Sequence, residues 1–468
     1  MTGTQSGYAR PDGRRPLPGN VVARQYCTCA ILRPPRPTAP IQETSVTCTD
    51  CLSPDKIRPL RPASPLIVHL ALALGGFAIG TSEFAAMSLV PYFSPDLGID
   101  EATASQVISA YALGVVIGAP VLAVLGARMS RRRLLVGLML AYAVANLLTA
   151  LATDYGQMMA ARFLSGLPHG AYFGVGALVA ASVVAPNQRN KAVARMMIGL
   201  TVATVLGVPF ANILGQSIGW RWGFGLVALL ACLTALAVLV KAPRDLPRRD
   251  INPLSELAAL GNRQVLLTLA TAAIGFGGFF AVYTYVASTL IEVTGAGPAA
   301  VPPVLALMGI GMTLGTLAAG WGADRNATAT AWTILCASFL LMLLYPSTTG
   351  NVWLMSAVLF GIGLSGGFGT VLQTRLMDVA GDAQTMAAAM NHSAFNVANA
   401  LGPLMAAFAI MAGYGFSSSG YVGAALTLAG MVVYALTLWD ARRSSRRRRV
   451  TPPTAAPAIL PDSSDKAA

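Results

Sequence analysis

Long apolar stretches recur along the chain, separated by short polar breaks. Runs of spanning length lie at about 66–91, 103–126, 133–152, 157–184, 193–215, 221–240, 265–291, 301–322, 328–345, 351–376, 385–412 and 419–439, each bounded by Pro, Gly or charge. About 20 apolar residues cross a bilayer as a helix, so the pattern predicts twelve transmembrane helices. The residue-by-residue alternation of a membrane barrel is absent. The longest connection, about 241–264, is polar and basic and divides the spans into six and six. The expected fold is an all-α polytopic membrane protein: two pseudo-symmetric six-helix bundles, 64–240 and 265–440, a linker at 241–264, and extensions at 1–63 and 441–468.

Internal repetition supports two halves. Gly126-Ala127-Arg128 after the second run is echoed by Gly322-Ala323-Asp324-Arg325 after the eighth, and Gly207-Val208-Pro209 in the fifth by Leu401-Gly402-Pro403 in the eleventh. Small residues let helices approach closely, and Pro interrupts the backbone ladder where a bend is useful.

Composition agrees with a membrane protein. Hydrophobic residues make up 55%, charged residues 11%, and the mean hydropathy is +0.61, values a soluble surface does not tolerate. The net charge of +13 does not point to nucleic acid, because the basic residues sit in short loops and tails beside apolar spans. Arg128, Arg131, Arg132, Arg189, Lys191, Lys241, Arg325, Arg375 and Arg442 mark alternate connections, whereas the intervening ones offer Asp96, Asp100, Glu101, Asp154 and Glu292. Basic loops stay inside, which places both termini in the cytoplasm of a plasma (inner) membrane; Arg221 is the one basic residue placed outside.

Glu83 lies within the first apolar run. An acid at that depth costs several kcal/mol unless it is paired, protonated or facing a cavity. It is either a proton or cation site, or a carboxylate fixed by a buried partner that holds helices together. Arg162 in the fourth run lies at a similar depth, roughly 9–12 Å from the outer end at 1.5 Å per residue, so the two can meet. Arg162, Ser165, Gly166 and His169 share one helix face. His169 is either a proton relay or a hydrogen-bonded strut. Tyr111, Tyr172, Phe173, Phe276, Phe279, Phe280, Tyr283 and Gln373 are candidates for a cavity wall. His392, Asn391, Asn396 and Asn399 read as polar lining or interhelical hydrogen bonding.

Over about 64–440 the chain resembles the major facilitator superfamily, and within it the twelve-helix drug:proton antiporters, including arabinose-efflux-like and chloramphenicol-exporter-like permeases. The resemblance is carried by Gly80-Thr81-Ser82-Glu83-Phe84, Ser109-Ala110-Tyr111-Ala112-Leu113-Gly114, Arg162-Phe163-Leu164-Ser165-Gly166-Leu167-Pro168-His169-Gly170, and Thr204-Val205-Leu206-Gly207-Val208-Pro209 followed by Gly219-Trp220-Arg221. It implies that Arg162 lines a central cavity; with the buried acid and the shared helix face, Glu83, Arg162 and His169 are the proton-coupling candidates. It also implies gating by Arg128, Arg131, Arg132, Asp324 and Arg325 at the cytoplasmic loops, and by Gly207 and Pro209 in the fifth helix. The family's loop motif, Gly-x-x-x-Asp-Arg-x-Gly-Arg-Arg, is altered: Ala127 stands at the Asp position and Ser130 at the second Gly. The acidic half of that latch survives only as Asp324. The arginines equally serve as positive-inside anchors.

These features imply a proton-coupled antiporter that exports a small organic compound by alternating access. Its expected partners are substrate, protons and lipid, without cofactor, metal or nucleic acid, and it is expected to act as a monomer. Sugar efflux or uptake is the alternative within transport; a non-transporting sensor or a channel is the alternative outside it. No nucleophile, metal cluster or phosphate loop suggests an enzyme. Residues 1–60 are rich in Pro and Arg and are expected to be disordered or untranslated; since the next Met is Met87, a later start would use another codon. Cys27, Cys29, Cys48 and Cys51 superficially suggest a zinc site. Deleting 1–60, or replacing those four cysteines by Ser, should leave transport unchanged. Stoichiometric zinc in the purified full-length protein, lost on that replacement, would restore the metal reading.

Overall fold

A computed structural model describes residues 64–126, 129–185, 188–243, 261–380 and 384–450. The N-terminal extension with Cys27, Cys29, Cys48 and Cys51, most of the linker, Arg128 and the end of the tail lie outside the described residues.

Among the described residues the chain is helical, without strands. The spans are α1 (Pro65–Ser88), α2 (Glu101–Leu122), α3 (Arg131–Leu151), α4 (Tyr155–Ser182), α5 (Lys191–Ser217), α6 (Trp220–Lys241) and α7 (Arg263–Val293), then Pro298–Thr348, α10 (Val352–Val379), α11 (Met390–Tyr414) and α12 (Phe416–Arg443). Pro298–Thr348 has 51 residues, about 75 Å as one rod, more than twice the thickness of a bilayer core. It breaks at Asn326, whose φ of −157° and ψ of 92° are not helical. Its arms, 301–325 and 327–348, are α8 and α9, so the described residues provide twelve membrane-spanning helices.

Local chemistry sets the helix starts. Pro65 opens α1 at the position where its missing N–H costs nothing. The side chains of Asp100, Ser130, Asp154, Asn262 and Asn351 each accept a hydrogen bond from an N–H in the first turn of α2, α3, α4, α7 and α10. Inside the membrane no water can satisfy those groups, so polar caps fall at the ends of spans and apolar residues between them.

Glycines set the packing, and they do so alike in both halves. A Cβ on Gly166 of α4 would run into the Tyr111 carbonyl of α2, and one on Gly363 of α10 would run into the Met308 carbonyl of α8. The repeated Gly-Pro elements do the same for a second pair of helices: Gly207 of α5 lies against Thr81 of α1, and Gly402 of α11 lies against the Gly277 carbonyl of α7. Gly207 closes a π-helical turn, Ala203–Gly207, that precedes Pro209 and absorbs the register shift that the proline requires. At the turns, Gly126 abuts Leu134 and Gly322 abuts Thr330, which explains that sequence echo.

The two ends of the bundle differ. The end with the acidic connections is pinned by Arg221, which pairs with Asp96, donates to the Ala152 carbonyl at 3.1 Å and lies over the Trp220 ring. Arg221, and the Trp220 Nε1 bond at 3.0 Å, hold the Asp96 carboxyl below the usual carboxylate range. At this end the halves are tied by Tyr285 donating to Ser105 at 2.8 Å, Ser288 donating to Glu101, and Gln216 donating to the Pro298 carbonyl at 2.9 Å. Deeper in, Ser109 donates to the Ala400 carbonyl at 3.1 Å. At the basic end, Arg263 pairs with Asp440 at 3.2 Å, and Gln264 bridges Asp440 and Arg375, all within the second half.

Gly166→Ala and Gly402→Ala should each destabilise the protein by roughly 1–3 kcal/mol, because carbonyl oxygens rather than flexible side chains stand in the way. Gly137 and Gly225, beside which a Cβ meets nothing within 4 Å, should accept Ala within about 0.5 kcal/mol. Thermal unfolding of the purified variants measures both. Equal losses at all four positions would show that the seams do not depend on close approach.

Candidate functional site

Midway through the bundle, α1 has no lipid-facing side. Residues Gly80 to Ser88 are all buried, enclosed by α5 and α6 of the first half and by α7 of the second. Phe84 makes the contact with α7, 5.2 Å from the Tyr283 ring and 6.1 Å from the Phe280 ring. A carboxylate on this stretch is enclosed by side chains of both halves. Glu83, 6% exposed, accepts a hydrogen bond from Nδ2 of Asn399 on α11 at 3.0 Å. The acid therefore sits in the seam between the halves.

Arg162 occupies the centre of the first half, with no exposed surface. Its Nη1 donates to Ser82 Oγ at 3.0 Å, and Ser82 donates to Asn146 Oδ1 of α3 at 2.7 Å. The guanidinium lies 4.3 Å over the Tyr111 ring and 5.4 Å from the Phe224 ring, so aromatic faces supply part of the charge compensation. Nε and Nη2 have no hydrogen-bond partner. Sequence depth brings Arg162 beside Glu83, but they form no ion pair: Arg162 holds the neighbouring Ser82, and Glu83 is turned to Asn399.

Tyr111 extends the network. Its hydroxyl lies 2.8 Å from His169 Nδ1 and 3.3 Å from the Tyr142 hydroxyl. His169 is buried, 5.2 Å from the Phe173 ring and 6.1 Å from the His392 ring; His392 in turn stacks on Phe173 at 4.9 Å and 4°. α4 and α11 thus meet through one aromatic cluster that spans the seam.

The other candidates fall into different surroundings. Tyr172 donates to the Leu72 carbonyl at 2.8 Å, inside the first half. Phe276, Phe279 and Tyr283 belong to an aromatic stack on α7 that Phe395 of α11 completes; Phe276 and Phe279 also back onto a recess lined by Leu335 and Phe368. Asn391 donates to Gln373 at 3.2 Å, and Asn396 donates to the His392 carbonyl of its own helix at 3.0 Å. Of the gating candidates, Arg325 lies over the Trp321 ring and donates to the Trp321 carbonyl, and Asp324 is exposed. Arg131 and Arg132 stand in the first turn of α3.

Sequence reasoning did not single out Ser82, Asn146 and Phe224, which hold Arg162 in place, or Tyr142, whose hydroxyl meets that of Tyr111. Asn146 carried a signal, as an amide inside an apolar run. Ser82 stood in a segment that carries the family resemblance but gave no sign of its partner, and Phe224 carried no signal, since small hydroxyls and aromatic rings are common in membrane helices.

Comparison with known proteins agrees with this architecture. The profile of the Major Facilitator Superfamily matches residues 72–391. The inner membrane transport protein YdhP of Escherichia coli (strain K12) is 38% identical over 359 residues, 76% of this chain and 92% of that one. A chloramphenicol resistance protein of Streptomyces lividans is 34% identical over 351 residues, 73% of this chain and 88% of that one. The solved structure of a D-xylose–proton symporter, 16% identical, superposes with a TM-score of 0.63 over 79% of this chain and 97% of that one, a likeness of fold. Its helical architecture and its sequence together place the chain in the Major Facilitator Superfamily, as a multi-pass membrane transporter.

Proposed function

We propose that the protein is a proton-coupled antiporter that exports small, weakly polar or amphipathic organic compounds, chloramphenicol-like molecules among them. The observation that carries this reading is the hydrogen bond from Asn399 to Glu83 across the seam. A titratable group there changes the strength of the interface when it gains or loses a proton, which is the requirement for coupling a proton to rocking of the halves. One such group is enough. A proton crossing about 100 mV and one pH unit releases about 3.7 kcal/mol, which sustains a roughly 500-fold gradient of a neutral compound.

In this reading the basic loops and both termini face the cytoplasm of the inner membrane, and the acidic connections face outward. The ties between the halves at the acidic end suit a state closed to the outside. Arg162 and His169 tune the proton site. Phe84, Phe280 and Tyr283 beside Glu83 suit flat apolar rings, in keeping with the chloramphenicol resistance of the Streptomyces relative. The chain works as a monomer with substrate, protons and lipid as its partners.

One observation favours sugar as the cargo instead. The Oδ1 atoms of Asn391 and Asn396 are buried without partners, and amides suit a polyhydroxylated ligand. A pump-deficient host expressing the protein, challenged with antibiotics and separately assayed for sugar flux, decides between them. Drug tolerance is expected; sugar flux without drug tolerance would favour the alternative. In inverted vesicles Glu83→Gln should abolish proton-driven transport while leaving insertion intact, since a neutral amide is cheaper to bury than a carboxylate. Full proton-coupled transport by that variant would remove Glu83 from the mechanism.

A further inference from the structure

We propose that Asn399 reads the proton on Glu83 across the seam: it holds the neutral acid through two hydrogen bonds and releases the carboxylate, which then turns to Arg162. This rests on the coupling role given to Glu83 above. The Asn399 amide donates one N–H to Glu83, while its own Oδ1 is buried with no partner. A carboxylate cannot donate, so it leaves that oxygen unsatisfied. A neutral carboxyl group can: its carbonyl oxygen accepts from Nδ2, and its O–H donates to Oδ1, closing a planar ring. Turning the amide over strengthens the preference, because Oδ1 would then face Glu83 and only an O–H could bond it.

The opposite preference is built into α4. The guanidinium of Arg162 carries a permanent charge, and its Nε and Nη2 are buried and unpartnered. It is held at Ser82, one residue from Glu83. Two N–H groups of one guanidinium form the fork that a carboxylate accepts. Loss of the proton thus converts a bond between halves into one within the first half; the proton leaves to whichever side the seam is open.

Among the described residues, no other group around Glu83 competes for this role. Tyr111 of α2, Tyr142 of α3 and Tyr283 of α7 are phenols, which ordinarily ionise near pH 10. The charged residues of α5 and α6, Lys191, Arg195, Arg221 and Lys241, stand near the helix ends. His169 of α4 is engaged with Tyr111, and His392 of α11 is stacked on Phe173. Beside Asn399, the Ala400 carbonyl accepts from Ser109 of α2, so the switch lies within a seam that already closes.

The test uses the full chain in lipid nanodiscs, its six native cysteines replaced by Ser. Spin labels go on Thr153→Cys and Ala299→Cys, exposed positions on opposite halves at the acidic end. The label distance should be short at mildly acidic pH and lengthen as pH rises. Glu83→Gln, whose side chain keeps both bonds to an amide at every pH, should stay in the short-distance state throughout. Adding Asn399→Leu to Glu83→Gln should cut that population about tenfold, the effect of losing buried hydrogen bonds. Asn399→Ser, smaller and still polar, should act in the same direction if Leu disturbs the fold. A Glu83→Gln protein that remains closed with either Asn399 variant would overturn this inference alone. A Glu83→Gln protein that opens with pH like the parent would overturn the coupling role of Glu83 together with it.

Discussion

A guanidinium with no exposed surface, set in the middle of a membrane bundle, is the demand around which the first half is organised. Arg162 cannot shed its charge, and hydrocarbon cannot solvate it. The chain answers with a Ser82 hydroxyl, itself braced by Asn146, and with the faces of Tyr111 and Phe224. These groups come from α1, α2, α3 and α6, so one charge recruits a side chain from almost every helix around it. Tyr111 then passes the constraint on to His169, and the His169, Phe173 and His392 rings carry it across the seam. Because a half-satisfied buried charge is expensive, each of these residues is limited in identity even though none is itself charged.

Some of this was legible from sequence and some was not, for physical reasons. Span length and loop charge reflect the thickness and polarity of the bilayer, which act on every residue alike, and the helix boundaries followed within a few residues. The Gly-Pro repeats were legible because close backbone approach leaves few residue types available. Depth along α1 and α4 put Glu83 and Arg162 at one level, since rise per residue is fixed. Depth does not encode rotation about the helix axis or the direction of a side chain, and that information decides that Ser82 rather than Glu83 meets the guanidinium. The pairing of Glu83 with Asn399 is more remote still, because it joins residues 316 positions apart in sequence and depends on how the two halves dock. Asn326 shows the reverse case: the sequence separates α8 from α9, while the backbone runs helically up to the break on both sides.

Family membership and cargo are distinct questions at this site. Helix packing through main-chain contacts is indifferent to what passes through the seam, so a symporter of xylose and this chain can share an architecture at 16% identity. In the proposed reading, selectivity lies in a handful of side chains near α7 and α11, where aromatic rings alternate with amides. That mixture suits molecules with one flat apolar face and a few acceptors or hydroxyls.

The glycine seams have a mechanical consequence. Where α4 meets α2 and α10 meets α8, the limiting contacts are with backbone carbonyls, which have no rotamers with which to yield. Each pair therefore behaves as a doubled beam, stiff against sliding and splaying. Deformation must concentrate where the backbone has slack: the π-helical turn before Pro209, the break in α7 after Gly275, and the end of α11 at Ile410–Tyr414. The parts of the molecule that bend can thus be told apart from the parts that only carry the load.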